Sequence, residues 1–317
     1  MAEFAKLFLF SLLSSIGVII AYMAIARKYQ IVDIPNNRSS HQSVVVRGAG
    51  VVFPLVVITW CLFANQSLLF VLAMCLLALV SFTDDVRSVP AGIRLSFHFL
   101  SMWLIFLTVG LTRFDVFILA ACLIVATGIL SAFNFMDGIN GITGVYGFSV
   151  LLSFFFTDYN LPYQLMVIMA GAIIAFLIFN FRKRALCFAG DVGSVCISGF
   201  LIFLLSQIIV STNDFRWISF ISIYGIDSVT TIFLRLLRKE NIFKPHRTHL
   251  YQFLANEHKM PHLWISFAYG VAQLMFNGIY LLYLQPKGLM FWSLFLALQV
   301  VLYAILRYKF TPQVSKR

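Results

Sequence analysis

Charge is what this sequence has least of. Only 11% of its 317 positions are charged, and Asp and Glu together number twelve, whereas an ordinary soluble domain carries about 25% charged residues. A chain so poor in charge cannot cover a soluble fold with a solvated surface. Cysteine is sparse and solitary as well. Cys61, Cys75, Cys122, Cys187 and Cys196 form no CxxC pair, which excludes a disulfide framework and a cysteine-based zinc site. Low-complexity stretches, a convincing repeat and any sign of a second domain are also lacking.

What is present is apolar. Hydrophobic residues make up 61% and aromatics 16%, and apolar runs near 20 residues recur from end to end, the length that crosses about 30 Å of hydrocarbon. The first run, Leu7 to Ala26, is followed by Arg27 and Lys28. It is too long for a signal-peptide core and has its positive flank on the wrong side, so it reads as an uncleaved span. Eleven spans are expected, at 7–26, 49–64, 67–83, 95–111, 116–133, 145–157, 163–180, 195–211, 217–237, 263–284 and 288–306. All should be helical, because lipid offers no water to unpaired backbone groups. The expected fold class is therefore all-α: a polytopic transmembrane helix bundle forming one integral-membrane domain over 1–317.

The net charge of +11 would suggest nucleic acid in a soluble chain, but its distribution points to a membrane. With the N-terminus outside and the C-terminus cytoplasmic, the loops 27–48, 84–94, 134–144, 181–194 and 238–262, the tail and Arg235 hold 19 Lys and Arg; Lys6, Arg113, Arg216 and Lys287 are the 4 on the other side. That asymmetry sets the orientation. The acids follow it. Asp115, Asp158 and Asp214 sit in short outer turns as ordinary caps, while Asp33, Asp84, Asp85, Asp137 and Asp191 lie beside helix ends on the cytoplasmic face. Asp227 lies inside a span on that half. Scarce carboxylates gathered on one face suggest a cation site, whereas a transporter more often places such groups near the midplane.

Several constellations carry chemistry. Adjacent Asp84 and Asp85 repel unless a cation or a nearby Arg holds them. Hard oxygens of this kind suit Mg²⁺, which takes one or two carboxylates and completes its shell with phosphate and water; the plain alternative is a solvated helix cap beside Arg87. Asn134-Phe135-Met136-Asp137-Gly138-Ile139-Asn140-Gly141 is either a connecting turn or a turn whose side chains reach a ribose or uridine. Phe188-Ala189-Gly190-Asp191-Val192-Gly193-Ser194 opens a helix, where backbone can approach a phosphate and Asp191 can take a metal or simply cap. Lys244-Pro245-His246-Arg247-Thr248-His249 could grip a diphosphate or be a basic loop facing lipid. Asp33-Ile34-Pro35-Asn36-Asn37-Arg38-Ser39-Ser40-His41, running on to Arg47-Gly48-Ala49-Gly50, is polar and says little alone. Asp227 is a functional candidate by its depth, or a packing contact through Ser228, Thr230 or Arg235.

Taken in order, these loops resemble the polyprenyl-phosphate N-acetylhexosamine-1-phosphate transferases (glycosyltransferase family 4), over residues 33 to about 252. The family signatures are similar to Asp-x-Pro-Asn-x-Arg-x-x-His, Asp-Asp, Asn-x-x-Asp-Gly-x-(Asp/Asn)-Gly, Gly-Asp-x-Gly-Ser and a His-rich last loop. The resemblance implies a bacterial inner-membrane enzyme that moves N-acetylhexosamine-1-phosphate from a UDP-N-acetylhexosamine to polyprenyl phosphate and releases UMP. It implies Mg²⁺, with Mn²⁺ as a substitute, ligated by Asp191 and Asp85; catalytic roles for Asp84, Asp85 and His249; and substrate contacts from Asn134, Asp137, Phe188, His246, Arg247 and Asn140. Phe188 would stack on uracil, and Asp84 would deprotonate or orient the lipid phosphate. Membrane lipid is an expected partner, nucleic acid is not, and a homodimer is compatible with the pattern. Many relatives carry Asn where this chain has Ser131 and Asp where it has Asn140. The His-Arg-x-His-Leu-Tyr-Gln form of the last loop resembles the branch that starts O-antigen or related surface polysaccharides, and differs from the phospho-MurNAc-pentapeptide form. A polytopic transporter or flippase is the rival expectation; it requires inverted repeats and midplane charge.

Overall fold

Long apolar segments punctuated by short polar turns leave the backbone one economical solution, helices that satisfy their own hydrogen bonds. The computed structural model describes residues 2–35, 40, 43–64, 67–241, 246–285 and 287–311. Within them the chain forms α1 (Ala2–Lys28), α2 (Val52–Phe63), α3 (Leu68–Val86), α4 (Ala91–Val109), α5 (Val116–Met136), α6 (Ile142–Phe154), α7 (Tyr163–Asn180), α8 (Gly190–Thr212), α9 (Ser222–Leu237), a short α10 (Leu250–Gln252), α11 (His262–Ile279) and α12 (Leu289–Phe310). Two short antiparallel strands, β1 (Val32–Asp33) and β2 (Val45–Val46), pair Val32 with Val46 and Asp33 with Val45.

Among the described residues nine helical segments are long and apolar enough to cross a membrane. The expected spans 49–64 and 145–157 coincide with two shorter apolar helices, Ala49–Phe63 and Ile142–Phe154. The first is short because residues 45–50 run alongside 187–189 instead of extending α2: Phe188 N–H donates to Val46 O (2.8 Å), Ala49 N–H to Phe188 O (3.0 Å) and Gly50 N–H to Ala189 O (2.9 Å).

Helix α8 is apolar on every side and buried along nearly its whole length, as a central helix must be. It packs against α2, α3, α4, α5 and α6, while α1 lies on α7 and α11 on α6. Helices α1 and α12 are the least buried and present Leu, Ile, Val and Phe outward, the surface expected against lipid. Polar side chains join the helices inside. Ser11 Oγ donates to Ile168 O (2.7 Å) between α1 and α7, and Tyr146 Oη to Gln273 Oε1 (2.7 Å) between α6 and α11; such contacts substitute for the missing hydrophobic drive between helices in lipid. Two of the three expected outer caps, Asp115 and Asp214, accept from Phe117 N–H (2.8 Å) and Arg216 N–H (2.9 Å).

The ends of α3, α5, α7, α9 and α12 and the starts of α6, α8 and α11 meet at one end of the bundle. Asn180 joins three of them, accepting from Gly141 N–H (2.6 Å) and donating to Cys187 O (2.8 Å). That end carries the polar loops.

Candidate active site

Asp85 is the pivot of the site. It sits in the last turn of α3 with its side chain fully buried, and its carboxylate accepts Asp191 N–H (2.8 Å) and Val192 N–H (3.0 Å) from the first turn of α8, together with Arg47 Nε (2.6 Å). The N-terminus of α8 presents just the unpaired N–H groups that favour an anion. Gly190 makes the approach feasible: its φ is +72°, and a Cβ there would lie 2.4 Å from Asp85 Oδ2. Gly50 and Gly193 let a second pair of backbones touch, since a Cβ on Gly50 would lie 2.2 Å from Gly193 Cα. The glycines flanking Asp191 are thus explained by close packing.

Two arginines complete the cluster. Arg47 Nη2 donates to Asp191 Oδ1 (2.7 Å); Arg94 Nη1 donates to Asp84 Oδ2 (2.5 Å) and more distantly to Asp191 Oδ2 (3.4 Å). Asn134 Nδ2 donates to Asp191 Oδ2 (3.1 Å) and its own oxygen accepts from Ser194 Oγ (3.3 Å). Asp84 also accepts Val89 N–H (2.6 Å), which closes the turn between α3 and α4. Burial works against the charge of Arg47, but Asp191 and Asp85 outweigh it and hold the guanidinium firmly protonated. The adjacent Asp84 and Asp85 therefore share one environment with Asp191, over a hundred positions away in sequence. Three carboxylates face two guanidiniums, a surplus of negative charge that suits a divalent cation. The hard oxygens of Asp84 and Asp191 fit Mg²⁺ with further ligands from phosphate and water. Asp85 has its side chain fully buried, with its oxygens engaged by two backbone N–H groups and Arg47. Among the described residues no three His, Cys, Asp or Glu side chains form a ready-made cage.

The remaining sequence candidates separate into groups. Asp137, half-buried just beyond α5, accepts from Thr143 Oγ1 (2.7 Å); burial pushes its carboxyl up to about 6 against that hydrogen bond. Asn140 is buried and donates to Arg182 O (2.7 Å) and Lys183 O (3.3 Å), pinning the basic loop. Phe188 lines a cavity of about 900 Å³ together with Lys183, Arg184, Asn140, His262 and Trp264. His246 Nδ1 lies 3.0 Å from Thr248 Oγ1, and burial, then nearby positive groups, pushes its imidazole down to about 4. His249 is buried, with Nδ1 2.9 Å from Asp227 Oδ1. Tyr251 Oη donates to Phe135 O (3.0 Å) and so seats the histidine loop on the end of α5, beside Asn134. Arg247 is half-buried in that loop. Asn36, Asn37, Arg38, Ser39, His41, Lys244 and Pro245 lie outside the described residues.

Sequence reasoning missed Arg47 and Arg94 as partners of the carboxylates and named the neighbouring Arg87 instead. Spacing offered one signal: Arg94 lies one helical start beyond Pro90, on the α4 turn that faces back toward α3. For Arg47 there was no local signal, because its position depends on the pairing of 45–50 with 187–189. Asp227 and His249, read as separate features, form one contact.

Below the site an apolar groove runs between α5 and α9. One part, about 400 Å³, is lined by Val125, Ile129, Phe133, Tyr224 and Val229 among others. A second, about 750 Å³, continues from Val125 and Ile129 toward Phe215 and Trp292.

Residues 67–210 match the family described as glycosyl transferase family 4. That stretch covers the three clustered aspartates and Asn134, and ends ahead of the histidine loop. Three proteins named phospho-N-acetylmuramoyl-pentapeptide-transferase are similar to parts of this chain. The one from Thermotoga neapolitana is 30% identical over 127 residues, 38% of this chain and 41% of the relative. That from Thermotoga petrophila is 35% identical over 82 residues, 25% and 26%. That from Fervidobacterium nodosum is 24% identical over 111 residues, 35% of each. The chain thus spans less than half the length of each of these relatives.

Proposed function

We propose, from the match of residues 67–210 to glycosyl transferase family 4, that this chain moves N-acetylhexosamine-1-phosphate from a UDP-N-acetylhexosamine to polyprenyl phosphate. The observation that carries the reading is the convergence of Asp84, Asp85 and Asp191 around Arg47 and Arg94 at the mouth of a bundle with an apolar groove. A lipid phosphate and a water-soluble nucleotide can meet only where such a groove ends at a polar surface.

An oxygen of the lipid phosphate attacks the β-phosphorus of the donor. The bond from that phosphorus to the bridging oxygen breaks, UMP leaves with its electron pair, and a lipid-linked pyrophosphate sugar remains. Both reactants are anions, so the site must offset charge as they approach. Asp191 and Asp84 would hold Mg²⁺ (or Mn²⁺), which supplies that neutralisation when bound. Arg47 and Arg94 hold the carboxylates in place and bring positive charge of their own. Asp84 orients the attacking phosphate, or takes its proton where one remains. Asn134 aligns Asp191; Asp85 fixes the start of α8. Phe188 in its basic-walled cavity is suited to stack on the uracil, with Lys183 and Arg184 near the diphosphate. The prenyl chain lies along the groove between α5 and α9.

His-Arg-x-His-Leu-Tyr-Gln favours a donor for O-antigen or a related surface polysaccharide, such as UDP-GlcNAc or a 6-deoxy FucNAc or QuiNAc relative. The family match ends before this loop and so bears on the aspartate half alone. The test uses purified protein, polyprenyl phosphate, Mg²⁺ and a panel of UDP-N-acetylhexosamines, with UMP release and product lipid as readouts. Asp191→Asn should lower turnover by about 100-fold or more, the scale of losing one electrostatic contact to a developing charge. Near-normal release from that variant would remove the central claim.

A further inference from the structure

The apolar space below the aspartates has two chambers, and the prenyl chain accounts for the one between α5 and α9. The other, about 750 Å³, is walled mainly by α5, α8, the segment Phe215–Ile221 and the start of α12, and no described residue of α9 lines it. It reaches the end of the bundle where α5 and α12 begin and α8 stops, away from the aspartates. Most of its lining is aliphatic or aromatic, with Ile118, Val125, Leu205 and Leu289 among the walls. Trp292 adds its ring, its indole N–H being already donated to Ser219 Oγ (2.7 Å).

The far rim is polar. Asp214, Arg216 and Lys287 line it. Arg216 Nε donates to both oxygens of Asp214 (2.9 Å each), Nη2 donates to Gln285 O (3.4 Å) and Nη1 to Lys287 O. Arg216 is thus matched in charge by Asp214, and it ties the corner after α8 to the start of α12. Arg113, beside the same corner, donates to Asn213 Oδ1 (2.6 Å) and has Asp115 two residues on to offset it. Lys287 is different. It is exposed, its Nζ stands 5.9 Å from the centre of the Phe291 ring, and the acid that lines the chamber with it is taken by Arg216. Among the described residues Lys287 forms no ion pair.

A long apolar hollow that ends on an unmatched cation, at the level where a bilayer turns polar, is complementary to an anionic amphiphile. Polyprenyl phosphate does not fit it, because its phosphate belongs at the aspartates and its other end carries no charge for Lys287. A lysine that merely anchors a helix at the interface needs no hollow beneath it. We propose that this chamber binds an anionic glycerophospholipid from the leaflet away from the aspartates, with an acyl chain inside and the headgroup phosphate on Lys287. Arg216 builds the rim on which that phosphate sits. The site is independent of the transferase reading, since neither the aspartates nor the donor cavity takes part.

Trp292 supplies a local probe. The full-length protein in phosphatidylcholine nanodiscs is doped with phosphatidylglycerol or phosphatidylcholine carrying brominated acyl chains, and Trp292 quenching is read as wild type minus Trp292→Phe. Phosphatidylglycerol should reach half-quenching at about fivefold lower mole fraction, the scale of one basic residue facing an anionic lipid. Lys287→Ala should bring the two lipids level. Lys6→Ala, at the same end of the bundle but outside the chamber, should keep the difference, and Ala121→Phe, which fills the chamber from α5, should weaken quenching by both. Equal quenching by the two headgroups in the wild type overturns the proposal. So does an equal effect of Lys6→Ala and Lys287→Ala, which would reduce it to diffuse charge. Relief of the quenching by polyprenyl phosphate equimolar with the protein overturns it too, and would give the chamber to the acceptor.

Discussion

Gly190 shows how much of the site hangs on a missing methyl. Its φ of +72° is left-handed, and a side chain there would meet Asp85. Gly190→Ala should lose about 1–2 kcal/mol to backbone strain alone and disturb the two N–H donors that Asp85 receives. The expected outcome is a lower unfolding temperature in detergent and at least tenfold lower turnover. Gly92→Ala, in α4 with open space around the new methyl, should be neutral or stabilising by up to about 1 kcal/mol, and the pair of measurements separates packing from helix propensity. Asp137 yields a pH prediction with a definite sign. Its carboxyl is raised from 3.8 to about 6 by burial, so between those pH values the folded chain holds a proton that the unfolded chain has lost. Stability from this group is therefore present at low pH and falls as pH rises through about 4 to 6. Asp137→Asn should remove that slope and unfold at a higher temperature at pH 7, but not at pH 4. The gain is about 1–3 kcal/mol, discounted from the full shift because the residue is only half-buried.

The elements are placed by a few polar pins. Asn180, at the end of α7, satisfies Gly141 N–H and Cys187 O at once, in a buried position. Asn180→Ala leaves a buried donor and a buried acceptor unpaired, at about 1–3 kcal/mol each. It should lower the unfolding temperature and speed amide exchange at Gly141, with Asn180→Asp intermediate because it keeps only the acceptor. Helix boundaries at this end were the part least readable beforehand. Apolar runs located all eleven helical segments, since a run of Leu, Ile, Val and Phe has one stable form in lipid. They did not reveal that 45–50 would lie beside 187–189, because that pairing joins residues over a hundred positions apart and has no local signature. The same applies to Arg47, which arrives at Asp85 and Asp191 only through that pairing. Asp84-Asp85 and Gly-Asp-x-Gly-Ser stood out as motifs, but their division of labour did not. Adjacent carboxylates look alike in a string of letters, and burial alone separates Asp85, spent on the start of α8, from Asp84 beside Arg94.

For the whole molecule, the 19-to-4 split of Lys and Arg predicts an orientation. In a cysteine-free background, a membrane-impermeant maleimide added to intact cells should label Asp158→Cys but not Arg184→Cys until the membrane is opened. Labelling in the reverse order would invert the topology and put the site on the wrong face for a UDP-sugar. Composition and hydropathy by themselves determined that this chain is a helical membrane bundle with its carboxylates beside helix ends, because the cost of exposed backbone in hydrocarbon depends only on what each segment contains. Tertiary structure alone decided which charges meet. It joined Arg47 and Arg94 to the aspartates, gave Asp85 to α8, and closed Asp227 onto His249. Ion pairs and hydrogen bonds act over a few ångströms, and in a folded chain that distance bears no fixed relation to separation along the sequence.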